Sequence, residues 1–140
     1  MDSFRVLGPR TVGYLDLTGS GIETVAHLRE NGRIVLMFCA FDGPPKIVRL
    51  HGVGSVVTPE MPEYGELRRH FPNHLGARAI VRADLTRIGD SCGFGVPKFT
   101  YVEERDSLIQ SIERKGPEGL VRYRQEKNTT SLEGLPGLFT

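Results

Sequence analysis

Between Leu17 and Thr24 the chain reads Leu-Thr-Gly-Ser-Gly-Ile-Glu-Thr, bringing the hydroxyls of Thr18, Ser20 and Thr24 and two glycines together just ahead of an amphipathic run. At a helix start the backbone N–H groups point outward and the dipole is positive. A phosphate or carboxylate is therefore stabilised there, and Gly19 and Gly21 would let it approach closely. The same residues have a plainer reading. Ser20 followed three residues later by Glu23 is the spacing of a capping box, in which a hydroxyl and a carboxylate satisfy backbone N–H groups reciprocally. Capped helices far outnumber anion sites, and Glu23 places a negative charge where an anion would sit, so the motif alone favours the cap.

Other residues offer less. His51, in a strand, has the chemistry of a proton donor or a haem ligand, but a lone strand histidine is more often simply half-exposed. His27 falls on the surface of a helix. His70 and His74 are four apart around Pro72, which breaks the helical geometry a metal pair would need. Cys39 lies in an apolar run and Cys92 in a Gly-rich loop, with no CxxC pair, and no His or Lys stands beside Cys92 to lower its pKa. Arg78 and Arg82 share one face of a strand and have the chemistry to pair with a substrate phosphate or carboxylate; a solvated strand face is the commoner account.

The elements that must position these residues follow from periodicity. Phe4, Val6 and Leu7 begin a strand almost at once, a Gly8-Pro9 turn follows, and Thr11 to Leu17 reads as a second strand. Ile22, Val25 and Ala26 fall on one face of a helix expected over about 21–31, ended by Asn31-Gly32. The apolar run from Arg33 to Phe41 and the β-branched stretch from Lys46 to Thr58 pair as a hairpin around Asp42-Gly43-Pro44-Pro45, with Gly52 and Gly54 marking a bulge or barrel corner. A short helix is expected over 63–70, then a strand from Ala77 to Ile88 with one wet face, then an irregular stretch from Asp90 to Tyr101. Helices occupy about 103–128, broken where Lys115-Gly116-Pro117 stops one and Pro117 begins the next. With no βαβ alternation, the order implies one domain over 1–140, mainly β with peripheral helices (α+β): an antiparallel sheet or small barrel with helices outside it.

Composition narrows the function. A formal net charge of +1 gives no global field for nucleic acid. The longest apolar stretch, Ile34 to Phe41, is far short of a membrane span, and no secretory leader opens the chain, so neither membrane insertion nor export is expected and a reducing cytoplasm is the expected compartment.

Three stretches carry a further signal: Tyr14 to Thr24, His27 to Ile34 with Met37-Phe38-Cys39-Ala40-Phe41, and Asp90-Ser91-Cys92-Gly93-Phe94-Gly95-Val96-Pro97. Together with Lys115-Gly116-Pro117 and Glu126-Lys127-Asn128 they resemble a bacterial branch of the pyridoxamine 5'-phosphate oxidase-like proteins, from Asp2 to about Pro136. The resemblance implies an FMN-binding split β-barrel that forms a homodimer, with FMN in a groove at the subunit interface and a small-molecule substrate. It implies that Thr18, Ser20, Gly21 and Thr24 lie near the flavin phosphate and that Lys46 and Ile47 lie near the isoalloxazine ring, with the loop from Cys92 to Pro97 covering the site. The implied activity is that of an FMN-dependent oxidoreductase; a non-catalytic module for flavin, deazaflavin or haem, or a member that has lost its cofactor, is the alternative. The oxidases proper carry basic residues where this chain has Gly21 and Ile22, and an Arg-Gln pair where it has Lys46 and Ile47. Pyridoxamine-phosphate oxidation itself is therefore not expected. Relatives of the branch also carry a helix and the first barrel strands ahead of the segment matching Asp2. The expectation is an N-terminally truncated barrel, in which either the site is incomplete or a neighbouring subunit covers the exposed edge that a missing strand would leave.

Overall fold

The computed structural model describes residues 2–139. Five strands form one antiparallel sheet: β1 (Phe4–Gly8), β2 (Thr11–Leu17), β3 (Arg33–Cys39), β4 (Lys46–Val57) and β5 (Ala77–Cys92), in the spatial order β1-β2-β5-β4-β3. Three helices accompany them, α1 (Glu23–Asn31), α2 (Tyr64–Arg68) and α3 (Ser107–Lys127). This is the mainly-β, helix-flanked architecture the sequence implies. The sheet is rolled: the Phe4 ring of β1 meets the Phe38 ring of β3 edge to face at 5.1 Å, although these two strands share no ladder. Side chains, not hydrogen bonds, close the gap, which makes the barrel a split one.

The longest strand, β5, is the axis of the fold. It pairs with β2 through Ala77 to Asp84 and with β4 from Ile80 to Cys92. Its odd positions build the inner face: Ala79 and Val81 pack with Ile22, Val25, Leu28 and Val56, while Ala83 and Leu85 pack with Val12 and Leu50. Ile80, the exception in the alternation, lies on the other face in a third cluster with Leu15, Val57 and Phe71. Burying a side chain of this kind contributes about 1.5–3 kcal/mol.

Several boundaries differ from the sequence expectation. The strand does not stop at Ile88. Gly89 to Cys92 continue the ladder opposite Arg49 to Lys46, because a partner strand supplies the hydrogen bonds that a Gly-containing stretch would otherwise lack. The last helix begins at Ser107, leaving Val102 and Arg105 outside it. Gly116, at φ 62° and ψ 177°, splits it where Pro117 starts the second half, as expected. Gly32 ends α1 in the left-handed conformation with its N–H on the Leu28 carbonyl. Among the described residues, no helix is long and apolar enough to cross a membrane.

The irregularity expected at Gly52 is present, but the extra residue belongs to β5. His51 pairs with Arg87 and Gly52 with Leu85, so Thr86 is the bulged residue, and its hydroxyl donates to the His51 carbonyl. A Cβ on Gly52 would lie 2.4 Å from the Asp84 carbonyl oxygen. Gly52→Ala is therefore expected to lower stability by roughly 1–3 kcal/mol through overpacking against rigid backbone, read from the midpoint of urea unfolding.

Candidate cofactor site

The turn between β2 and α1 is fixed from inside by one side chain. Arg78 is 7 % exposed and uses all its donors. Nε and Nη2 hold the Asp16 carboxylate at 2.8 and 3.2 Å, Nη1 donates to Gly19 O at 3.1 Å and to Asn128 Oδ1 at 2.8 Å, and Nη2 donates to Gly21 O at 2.8 Å. Asn128, fully buried at the end of α3, donates its amide to Gly19 O at 2.9 Å and to Ser20 O at 3.4 Å. The carbonyls of the turn thus point at a guanidinium and an amide.

Arg78 corrects the reading of a solvated face shared with Arg82. Asp16 pairs with Ala79 and Leu17 with Ala77, so Arg78 is the extra residue of a second bulge in β5. A bulge turns its residue out of the strict alternation, and Arg78 joins Asp16 instead of facing solvent. Arg82, in regular strand, stays half-exposed beside Asp84 at 2.9 Å. No glycine or proline lies at Arg78 or beside it to mark this bulge in the sequence.

The capping box is also absent. The N-cap of α1 is Ile22, with no side-chain cap bond, so Ser20 does not cap the helix. The Arg78 and Asn128 bonds hold the Gly19 to Gly21 backbone away from the capping position. Glu23 instead folds back over the turn: a Cβ on Gly21 would lie 2.7 Å from its Oε2, and its Oε1 accepts the Leu132 N–H at 3.4 Å.

The six residues expected at a cofactor fall into two groups. Thr18 is buried, its hydroxyl donating to Gly76 O at 2.9 Å and accepting from Arg124 Nε at 2.8 Å, so it fastens the turn and offers nothing to a ligand. Ser20, Gly21 and Thr24 are exposed beside it. Lys46 and Ile47 begin β4, opposite Cys92 and Ser91, whereas the turn lies near the other end of that strand, where Ile22 and Val25 pack on Val56. Ten strand residues separate these levels, roughly 33 Å at the usual rise. Lys46 is exposed and ion-paired with Asp90 at 3.1 Å. The loop after Cys92 packs beside it, since a Cβ on Gly93 would lie 2.7 Å from Lys46 N, and Phe99 leans on Phe41 at 5.4 Å between ring centroids.

The histidines lie elsewhere. His27 is exposed and meets Glu133 at 3.4 Å; His51 lines an open groove with Arg33 and Asn31. Among the described residues, no three His, Cys, Asp or Glu side chains gather as metal ligands.

No family model matches the chain. It is 42% identical, over 155 aligned positions and 99% of its own length, to the pyridoxamine 5'-phosphate oxidase family protein ustO of Aspergillus flavus. The chain belongs to the pyridoxamine 5'-phosphate oxidase-like family. The relative is fungal, whereas the sequence resembles a bacterial branch, and the chain spans 61% of that protein's length. Among solved structures, Group A Streptococcus HupZ aligns at a TM-score of 0.47 and 20% identity, over 61% of this chain and 66% of that one.

Two outcomes follow for this pyridoxamine 5'-phosphate oxidase-like chain. Arg78→Met removes the partner of the half-buried Asp16 carboxylate and at once frees two turn carbonyls, Gly19 O and Gly21 O, and the Asn128 amide oxygen. It should cost about 3–5 kcal/mol in urea unfolding, with Arg78→Lys recovering little because an ammonium lacks the planar fork. The second concerns Tyr14, whose phenol is pushed up to about 12, first by burial and then by the Asp16 charge, against an opposing bond with Thr24. The folded phenol keeps its proton longer than the unfolded one, which ionises near 10. Its contribution to stability is therefore fully present below pH 10 and lost as pH rises through about 12. A phenolate absorbance titration of the native protein should show a late-titrating tyrosine that is missing in Tyr14→Phe.

Proposed function

We propose that the protein is an FMN-binding oxidoreductase that works as a homodimer, with each flavin held between the Ser20–Thr24 turn of one subunit and the Lys46–Ile47 strand start of the other. The observation that carries this reading is the separation of the two residue groups along β4, which exceeds the length of one flavin mononucleotide. On this reading two chains related by a twofold axis supply the two groups to one cofactor.

Three further features support it. The family generally binds flavin or haem. Ser20, Gly21 and Thr24 are open to solvent at the start of α1, the end of a helix that favours an anion. Exposed apolar side chains lie on the outer face of β3 and β4 (Val35 52%, Met37 57%, Val53 59%) and on the strap after β5 (Phe94 83%, Val102 84%), and contiguous apolar surface of this kind marks interfaces. Bound FMN would supply the redox chemistry, and the chain's own residues would orient it and exclude water. The substrate is a small molecule, nucleic acid and membrane are not partners, and both cysteines are free thiols, in keeping with a cytoplasmic protein.

A non-catalytic module for flavin, deazaflavin or haem is the second reading. One observation favours it: the carboxylate of Glu23 lies over Gly21, and no basic side chain precedes it in the turn.

Complementation separates a shared site from a single-chain one. Thr24→Asp and Lys46→Glu variants should each fail to bind FMN, followed by flavin absorbance. Unfolding and refolding them together should restore about a quarter of the sites, because half of the dimers are mixed and each carries one intact site. Recovery of no binding in the mixture, or full binding by either variant alone, would refute the shared site.

A further inference from the structure

Two arginines meet beside the end of β2, and they are not equivalent. Arg78 is saturated, as described above. Arg124, in the second half of α3, donates Nε to Thr18 Oγ1 at 2.8 Å and Nη2 to Ala77 O at 3.3 Å. A guanidinium carries five N–H donors, so three remain after these two. The side chain is half-buried, and no ion pair with a carboxylate is formed among the described residues. Burial, and then repulsion from Arg78, push its pKa down, against smaller opposing contributions from Tyr64 and Asp16.

Arg124 borders a cavity of about 120 Å³ whose walls also include Arg78, Thr58, Glu60, Leu138 and Phe139. The cavity is large enough for one tetrahedral oxyanion and too small for a flavin ring. Its apolar wall, Leu138 and Phe139, lowers the local dielectric and strengthens a charge-assisted bond to the guanidinium. Among the described residues, Glu60 is the one acidic residue of the lining. The Thr58 hydroxyl and its own backbone N–H hold its carboxyl below the usual range, so it is ionised at neutral pH and opposes an incoming anion.

We infer that this cavity is a binding site for a phosphate-sized oxyanion, held by Arg124 and weakened by Glu60. Thr18 links Arg124 to the base of the exposed Ser20–Thr24 turn. Two sources present the same chemistry: free inorganic phosphate, and the phosphate end of a monoester such as FMN.

The test measures inorganic phosphate binding to the full chain by calorimetry at constant ionic strength, with chloride as the reference anion. FMN and riboflavin are compared in parallel. Saturable phosphate binding is expected. Arg124→Gln should weaken it about ten-fold or more, since a hydrogen bond to a charged group is worth that much. Glu60→Gln, which keeps every Arg124 bond, should tighten it several-fold. Weakening of FMN but not of riboflavin by Arg124→Gln would identify the phosphate end of the cofactor as the source, and loss of inorganic phosphate alone would identify the free anion. Either result supports the site. Absence of saturable phosphate binding, or an affinity unchanged in both variants, would overturn it. Failure of the flavin reading alone would appear as a protein that ignores FMN yet still responds to phosphate through Arg124 and Glu60.

Discussion

A buried guanidinium needs five acceptors, and in this protein the five that Arg78 finds belong to Asp16, Gly19, Gly21 and Asn128. That single requirement joins the end of β2, the turn into α1, the start of β5 and the end of α3. Removing any one partner would leave a charge or a carbonyl unpaired in the interior, which costs more than the bond itself contributes. The turn therefore has one conformation: its carbonyls face inward and the Ser20 and Thr24 side chains remain at the surface. Thr18 and Arg124 reinforce the same joint, coupling α3 to the base of the turn.

The rest of the sheet is arranged around two incomplete borders. β1 and β3 touch through Phe4 and Phe38 but share no ladder, and beside that contact an apolar groove of about 350 Å³ opens between Val12, Val48, Leu50 and Ile88. On the opposite side of the hairpin Val35, Met37 and Val53 stand in solvent. The chain encloses its own core at α1 and leaves these surfaces open, and they are the ones that the proposed homodimer would cover.

Local and repeating signals made much of the fold legible in the sequence. The apolar run from Arg33 to Phe41, the β-branched stretch from Lys46 and the Gly116-Pro117 break each specify an element through a neighbour-to-neighbour property, and all three elements are present, the first ending two residues early at Cys39. Events depending on a distant partner were not legible. Asp90 to Cys92 are strand because Lys46 to Val48 pair with them, and Arg78 is buried because a bulge turns it towards Asp16. Ser20 and Glu23 had the right spacing for a cap. The competing demand came from Asn128, 108 positions from Ser20, and no spacing rule reaches that far. Of the residues expected at a cofactor, Ser20 and Thr24 are exposed near one end of β4 and Lys46 starts the other, a separation set by strand pairing that no local signal carries.

Light scattering in line with size-exclusion chromatography, recorded with flavin absorbance after incubation with FMN, tests the account most directly. It requires that flavin absorbance elute with a species of twice the chain mass, at one flavin per chain, and that any monomer fraction be colourless. Flavin carried at full stoichiometry by a monomer, or a dimer that takes up no FMN, would contradict it.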